Sequence, residues 1–270
     1  MEKKGKKHFI LVHGACHGAW CWYKIAHLLK SDGHQVTALD LGACGVNPKK
    51  LEEVTSFSEY VKPLMEVMAS LSSDEKIILV GHSFGGFSIS FAMEKFPAKI
   101  LVAVFVTAYM PNCKNPPATL IGEFFKWSPV ESLYDCRLYF THGLENPPTS
   151  SSFGPEYLTN MLYLQCPQEE SFLIPNGDLE LGKMLVRPTG VFGDDLSKES
   201  DLTEANFGSV NRIFVFCEGD VVMKEGFQKW LIANSPPNEV KVISEAAHMV
   251  MLSKPKELCQ CLLDIADKFT

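Results

Sequence analysis

A serine motif flanked by glycines, residues 81–85, most constrains how this chain can fold. Its sequence is Gly-His-Ser-Phe-Gly; an apolar run at residues 76–80 precedes it and a helical pattern at residues 87–96 follows it. This order of strand, sharp turn and helix is the context in which G-x-S-x-G presents a nucleophile. Gly81 and Gly85 leave room for the strained backbone of such a turn. The sequence therefore predicts a nucleophilic Ser83 beside a helix N-terminus, where free N–H groups favour negative charge.

Short apolar runs alternate with amphipathic segments along most of the chain, which is typical of a parallel sheet covered by helices. Six strands are predicted, at residues 9–13, 35–40, 76–81, 101–107, 212–217 and 240–244. Five helices are predicted, at residues 19–30, 58–71, 84–95, 224–234 and 255–268. We therefore predict an α/β fold with a mostly parallel central sheet flanked by helices.

The alternation stops between residues 110 and 208, where prolines and aromatic residues are frequent. A structureless loop of this length would be unusual in a compact domain. We therefore predict a core made of residues 1–110 and 209–270. Residues 111–208 are predicted to be an inserted cap that forms the lid of the substrate pocket. Within this segment, Asp194 and Asp195 are expected to be solvated.

Composition and charge argue against several classes of protein. The net charge is −7, so no broad basic face for nucleic acid is expected. No window approaches the roughly 18 apolar residues of a membrane span, so no membrane partner is expected. The nine cysteines contain no C-x-x-C pair, which favours reduced thiols in a cytoplasmic protein over disulfides or a zinc site. We predict no metal site.

Of the eight histidines, His248 is the best candidate for the base that activates Ser83. A serine hydroxyl needs a base to take its proton, and imidazole titrates near neutral pH. Where a serine elbow is present, the chain order is serine, acid, histidine, with the histidine in a late loop. His248 follows the strand at residues 240–244 and precedes the last helix, whereas His142 lies inside the predicted cap.

The acid that orients this histidine should follow the preceding strand, residues 212–217. Asp220 is the preferred candidate, in the sequence Glu218-Gly219-Asp220. Glu218 is the alternative, because it lies two residues nearer to the strand.

Acyl transfer also needs backbone N–H groups that stabilise the negative oxygen of the transition state. One should come from the residue after the nucleophile, which is Phe84. The other should come from the loop after the first strand, where Ala15 is our choice. Bulk at Gly14 would perturb this oxyanion hole.

Five stretches of the chain resemble the plant methylesterase family of α/β-hydrolases, a group that includes methylketone synthase and the hydroxynitrile lyases. They cover essentially the whole chain in one order. The stretches are HFILVHGACHGAWCWYK from residue 8, GHQVTALDL from 33, PLMEVMASL from 63, DEKIILVGHSFGG from 74 and HMVMLSKP from 248. The resemblance implies an α/β-hydrolase fold with the catalytic triad Ser83, Asp220 and His248. It also implies the oxyanion donors Ala15 and Phe84, and no cofactor.

Three positions bear on the reaction, because this family includes several chemistries. Hydroxynitrile lyases of the family carry Thr or Asn where Gly14 stands, and one branch carries Lys where Met249 stands. The branch that forms methylketones has alanine in place of the serine. Because Ser83 is present, covalent acyl-enzyme chemistry stays open and an esterase is the leading interpretation.

The resemblance also implies which residues line the substrate pocket. Tyr109, Phe124, Leu133 and Ser151 match pocket positions of a salicylate-binding methylesterase of this family. That relative has tryptophan in place of Leu133 and methionine in place of Ser151. We therefore predict a wider cleft here. The chain departs from its relatives near the acid, at Gly219 and Val221, and before the histidine, at Ala247. Residues 172–177 look like an insertion within the cap.

The sequence therefore predicts a carboxylesterase that hydrolyses methyl esters of small apolar acids, such as hormone or alkaloid esters. One alternative is a lyase, a decarboxylase or an alkaloid-rearranging enzyme on the same fold. Another is a small-molecule receptor with vestigial hydrolysis. The expected partner is a small ester, and the oligomeric state stays open, with a homodimer as one option.

Overall fold

The central sheet is parallel throughout, as seen in a computed structural model that describes residues 5–146, 148–166, 177–198 and 202–269. The strands in these residues are β1 His8–Val12, β2 Gln35–Leu39, β3 Ile77–Ser83, β4 Ile100–Ala108, β5 Arg137–Tyr139, β6 Ser150–Ser152, β7 Thr189–Gly190, β8 Arg212–Cys217 and β9 Glu239–Ile243. Six of them form one sheet in the order β2-β1-β3-β4-β8-β9, with every neighbouring pair parallel. The prediction of a mostly parallel sheet is confirmed, and each predicted strand lies within two residues of its observed bounds.

The burial of the strands explains why their sequences are continuous apolar runs. Every residue of β1 is buried, and so are the first six residues of β3. A strand buried on both faces has no solvent side on which to place polar residues. The edge strand β9 instead alternates half-buried and exposed positions until its last residue. The helices therefore cover both faces of the sheet at its centre.

The predicted helices are also present, with one difference at the first of them. Over the described residues the α-helices are α1 Tyr23–Ser31, α2 Phe57–Ser70, α3 Gly85–Lys95, α4 Ala118–Trp127, α5 Pro155–Tyr157, α6 Gly177–Leu185, α7 Gly193–Leu196, α8 Glu225–Asn234, α9 Val250–Ser253 and α10 Pro255–Lys268. The predicted helix at residues 19–30 begins with a separate 3₁₀ turn, Ala19–Trp22. The Asp40 carboxylate, from the end of β2, accepts a hydrogen bond from the Ala19 N–H at 2.6 Å and so fixes the start of this turn.

Residues 111–208, which we call the cap segment, follow β4 and interrupt the alternation of strands and helices. They contain the second sheet, which is antiparallel with the order β5-β6-β7, and helices α4 to α7. The segment is thus built from short elements, which explains its many prolines. Its boundaries as a domain stay a prediction.

Polar contacts join the cap segment to the core. The Arg187 guanidinium donates to three backbone carbonyls of the loop 45–49, at 2.8–3.1 Å. At the start of α6, the buried Asp178 carboxylate accepts from the Tyr23 hydroxyl at 2.7 Å and from Lys24 Nζ at 2.6 Å. Both contacts bridge segments far apart in sequence, so they fix the position of the cap segment on the core.

The expectation that Asp195 is solvated is wrong. Asp195 is half-buried, and its carboxylate accepts a hydrogen bond from the Phe57 N–H at 2.7 Å. It thereby satisfies a free donor at the N-terminus of α2. Asp194 is exposed, as expected.

Two further sequence expectations concern an insertion in the cap segment and the absence of a membrane span. The apparent insertion at residues 172–177 lies outside the described residues, except for Gly177. No helix in the described part of the chain has both the length and the apolar character needed to cross a membrane.

Candidate active site

The serine motif forms a sharp turn between β3 and α3. Ser83 is the last residue of β3 and has a φ of 53°, in the left-handed region that residues with a Cβ rarely adopt. Close backbone approaches explain the glycines that follow. A Cβ on Gly85 would lie 2.6 Å from the His13 carbonyl oxygen, and a Cβ on Gly86 would lie 2.0 Å from that of Tyr109. The turn therefore needs glycine at both positions to place the serine above the sheet.

The structure places His248 next to Asp220. His248 Nδ1 lies 2.8 Å from Asp220 Oδ2, and both side chains are buried. A carboxylate can only accept, so Nδ1 carries the proton and Nε2 is left as the acceptor. This tautomer is the one that a general base needs when its Nε2 faces a nucleophile. Glu218 is exposed, so the geometry favours Asp220 as the acid.

Three further donors hold the Asp220 carboxylate in place. The Thr107 hydroxyl donates to Oδ2 at 2.5 Å, and the N–H groups of Val222 and Met223 donate to Oδ1 at 2.8 and 2.9 Å. Hydrogen bonds to a charged carboxylate stabilise the charged form. Asp220 is therefore held in one orientation toward the imidazole.

His82, the residue before the serine, holds the backbone of His248. Its Nε2 lies 2.9 Å from the His248 carbonyl oxygen, and because a carbonyl only accepts, Nε2 carries the proton. Burial lowers the pKa of His82 well below its usual value, and the nearby His248 lowers it further. His82 is therefore neutral at neutral pH and acts as a fixed donor.

Ser83 and His248 line the same cavity. The Ser83 hydroxyl makes no hydrogen bond with another described residue, so its contact with the imidazole is not formed in this structure. Such catalytic hydrogen bonds are often long without substrate and tighten when it binds.

The two expected oxyanion donors also lie at this cavity. Ala15 and Phe84 both line it, and neither backbone N–H donates to another described residue. Free N–H groups at a helix start and in a loop suit a developing negative oxygen. Gly14 allows the loop to pass close to the serine, because a Cβ on Gly14 would lie 2.8 Å from Ser83 Cβ.

The cavity is mostly apolar. The expected pocket residues Gly14, Tyr109, Phe124, Leu133 and Ser151 all line it. Further apolar side chains from the cap segment complete the wall: Ile121, Phe125, Leu138, Phe153, Tyr157 and Leu162. The volume is about 100 Å³. A cleft wider than that of the salicylate-binding relative stays a prediction.

Among the described residues, no cluster of His, Cys, Asp and Glu side chains has the geometry to hold a metal ion. The polar groups that line the cavity are instead serine, threonine and tyrosine hydroxyls, imidazoles and backbone N–H groups. These groups suit proton transfer and the binding of an oxyanion.

Comparison with known proteins identifies the family. The sequence profile for the alpha/beta hydrolase fold matches residues 7–255. Methylesterase 10 of Arabidopsis thaliana is 47% identical over 269 residues, which cover 100% of this chain and 95% of the relative. Methyl jasmonate esterase 1 of Vitis vinifera is 48% identical, with 100% of each chain covered. The chain belongs to the plant methylesterase family of α/β-hydrolases.

A solved structure of this family confirms the fold. Tomato methylketone synthase I, complexed with 2-tridecanone, matches with a TM-score of 0.89 at 45% identity, covering 98% of this chain and 100% of that chain. The family resemblance predicted from the sequence is therefore confirmed, as is the prediction that the chain is an enzyme. Members of the family catalyse different reactions, so the reaction of this chain has to be inferred from the residues of its own site.

Sequence reasoning missed three polar residues of this methylesterase-family site: Thr107, His82 and His17. Thr107 contacts Asp220, His82 contacts His248, and His17 lines the cavity. Thr107 lies near the end of β4, which neighbours β8, so strand order could have indicated it. His82 occupies a variable position of the serine motif, and the motif itself assigns no role to that position. His17 gave no signal, because its partner Tyr163 lies 146 residues away.

Proposed function

We propose that this chain is a serine carboxylesterase that hydrolyses methyl esters of small, largely apolar acids through an acyl-enzyme. The observation that carries the proposal is the His248–Asp220 hydrogen bond of 2.8 Å at the cavity that Ser83 also lines. A base with a fixed tautomer beside a strained serine is the arrangement that activates a hydroxyl. In this proposal Ser83 is the nucleophile, His248 the base and Asp220 the orienting acid.

The first half-reaction forms an ester between Ser83 and the acyl group. The Ser83 oxygen bonds to the carbonyl carbon of the substrate while its proton passes to His248 Nε2. The bond from this carbon to the methoxy oxygen then breaks, and the leaving group takes the proton from His248 as methanol. Asp220 stabilises the imidazolium that forms between these steps.

Water completes the cycle by attack on the acyl-enzyme. His248 takes a proton from the water as its oxygen bonds to the acyl carbon. The bond to the Ser83 oxygen then breaks, and His248 returns the proton to that oxygen. The N–H groups of Ala15 and Phe84 stabilise the negative oxygen in both halves, a contribution worth ~3–4 kcal/mol per donor in comparable sites.

The lining of the cavity supports an apolar acyl group. Tyr109, Phe124 and Leu133 are buried at its wall, and burial raises the pKa of Tyr109 far above its usual value, so that its hydroxyl stays neutral. Similarity to a methyl jasmonate esterase supports a hormone ester as substrate. Methyl jasmonate, methyl salicylate, methyl indole-acetate and alkaloid methyl esters are the candidates.

We propose the domain boundaries that the sequence predicts. Residues 111–208 supply the lid of the pocket, and residues 1–110 and 209–270 supply the three triad residues. We further propose a cytoplasmic location, because all nine cysteines are free thiols. A measurement of the molecular mass in solution would decide between a monomer and a homodimer.

A panel of these methyl esters tests the proposal, with acid and methanol release measured by mass spectrometry. The wild type should release both in equal amounts, and Ser83→Ala should lower the rate by at least ~10³-fold. An exposed-surface serine variant, Ser73→Ala, should keep the wild-type rate. No turnover on any ester, or turnover that Ser83→Ala retains, would refute the assignment.

A decarboxylase is the second candidate, because tomato methylketone synthase I is 45% identical with a TM-score of 0.89. A β-keto acid would then lose carbon dioxide in the same cavity, with His248 moving protons. The two reactions differ in their products. Release of carbon dioxide from a β-keto acid by both wild type and Ser83→Ala would favour this candidate, and binding of the esters without any product would favour a receptor.

A further inference from the structure

A strained residue lies beside one of the two proposed oxyanion donors. Cys16 has a φ of 62°, in the left-handed region. Such a conformation costs free energy and persists only where surrounding contacts hold it. The preceding residue is Ala15, whose N–H we assign to the oxyanion. The contacts that hold the turn at residues 15–17 therefore bear on the direction of this N–H.

Contacts from the cap segment hold this turn. The Arg187 N–H donates to the Cys16 carbonyl oxygen at 3.0 Å. Cys16 Sγ donates to the Ser151 carbonyl oxygen at 3.6 Å. A third contact reaches the turn through His17, whose imidazole bridges the Ala15 carbonyl and the Tyr163 hydroxyl, both at 2.9 Å.

The protons of the third contact can be assigned from its chemistry. The Ala15 carbonyl only accepts, so His17 Nδ1 must carry a proton and donate to it. In the neutral ring Nε2 is then an acceptor, so the Tyr163 hydroxyl donates to Nε2. The Tyr163 hydroxyl therefore donates to His17, and His17 donates to the Ala15 carbonyl. The hydrogen bonds run from the cap segment to the turn at residues 15–17.

The surroundings of His17 keep it in this neutral form. Its side chain is buried between the rings of Trp20 and Tyr163, with ring centroids at 5.1 and 6.0 Å. The pKa of His17 is lowered to about 4, chiefly by burial; the bond to Ala15 opposes this shift, and His13 and His248 add to it. At neutral pH the ring is uncharged and keeps one donor and one acceptor.

Gly182 of α6 allows the Tyr163 hydroxyl to reach His17. A Cβ on Gly182 would lie 2.6 Å from this hydroxyl oxygen. Helix α6 is itself fixed to the core through Asp178, at its first turn. The position of Tyr163 therefore depends on how the cap segment is seated.

We propose that Tyr163 and His17 are positioning residues, through which the seated cap segment holds the Ala15 N–H in place for the oxyanion. This inference rests on the proposed esterase function. The two residues do not touch the reacting atoms, and their effect passes through the turn at residues 15–17. A displacement of the cap segment from the core would therefore weaken the oxyanion hole.

Tyr163→Phe removes the hydroxyl donor and keeps the ring. We expect kcat for a methyl ester to fall by about ten- to a hundredfold with little change in KM, because only the transition state carries the oxyanion. The matched control is Tyr139→Phe, which removes a tyrosine hydroxyl that bonds within the cap segment, to the Ser152 hydroxyl at 3.0 Å. It should leave kcat within about twofold of wild type. Equal loss in both variants would overturn the proposal.

Two further variants separate positioning from general destabilisation. Gly182→Ala displaces the Tyr163 hydroxyl without removing it, so kcat should fall while KM holds. His17→Asn keeps a short amide donor for the Ala15 carbonyl and loses the acceptor for Tyr163. In a double-mutant cycle, adding Tyr163→Phe to His17→Asn should lower kcat no further, because both act through one chain of bonds. Additive losses would contradict this.

Hydrogen–deuterium exchange gives a readout that does not depend on turnover. Tyr163→Phe should speed the exchange of the amides at residues 15–17 at least severalfold, and Tyr139→Phe should not. If wild type hydrolyses no ester, the proposed function fails and this exchange alone decides the positioning role. Unchanged exchange in Tyr163→Phe would overturn that role whatever the reaction is.

Discussion

At the scale of single residues, the site depends on tautomers that neighbouring groups impose. His248 must carry its proton on Nδ1, because Asp220 Oδ2 lies 2.8 Å away and only accepts. His13 follows the same logic: its Nε2 accepts from the Leu41 N–H at 3.1 Å, so Nδ1 donates to the Gly14 carbonyl at 2.7 Å. Fixed backbone groups therefore orient the imidazoles around the serine before any substrate arrives.

Asp220→Asn tests this logic, because an amide can present its NH₂ group where the carboxylate accepts. The imidazole would then adopt the other tautomer, and we expect kcat to fall by up to ~10⁴-fold. Glu218→Gln is the matched control, since Glu218 lies two residues away and is exposed. Initial rates on one methyl ester decide between them. A large loss in Glu218→Gln with none in Asp220→Asn would show that the acid is wrongly assigned.

At the scale of elements, loops at the carboxyl ends of parallel strands gather the polar groups. The turn after β3 provides Ser83, the loop after β8 provides Asp220, and the segment after β9 provides His248. Parallel strands place these ends on one edge of the sheet, which is where ligands bind in such folds. The loop after β1 also buries the imidazoles of His13 and His17, and the end of β3 buries that of His82.

These buried imidazoles predict that the protein loses stability in mild acid. Burial lowers the pKa of all three in the folded state, for His17 to about 4, whereas an unfolded chain has values near 6.5. Their contribution is complete above pH 6.5 and is lost as the pH falls from 6.5 toward 4. Each histidine can lower the free energy of unfolding by up to about 1.4 kcal/mol per pH unit in this window.

Urea unfolding between pH 7.5 and 4.5 measures this slope. His17→Asn should make the fall in unfolding free energy with acid shallower than in wild type. His142→Asn, which removes an exposed imidazole, should leave the slope at the wild-type value. A free energy of unfolding that stays constant over this range in wild type would contradict the prediction.

At the scale of the whole molecule, the core could be predicted from sequence and the cap segment could not. Buried strands such as β1 and β8 are continuous apolar runs, and Pro97 and Pro255 mark helix boundaries, so periodicity finds them. The cap strand β6 is Ser150–Ser152, three serines with no apolar pattern. Its position comes from pairing with β5 and β7, which sequence periods do not reveal.

The same division holds for the site. The three proposed catalytic residues follow recognisable strands in a fixed chain order, so local pattern is enough to predict them. Thr107, His82 and His17 act through contacts with residues distant in sequence, up to 166 positions apart for His82 and His248. The pocket volume depends on how the cap side chains pack, which sequence periods do not reveal, so the wider cleft stays a prediction.

The proposed esterase function depends most on covalent chemistry at Ser83. The most direct measurement is intact-protein and peptide mass spectrometry after incubation with a fluorophosphonate. We predict one adduct per chain, on the peptide that contains Ser83, with ester turnover lost in proportion to labelling. Ser83→Ala should take up no label. Label on another residue, or full labelling that leaves turnover intact, would contradict the account.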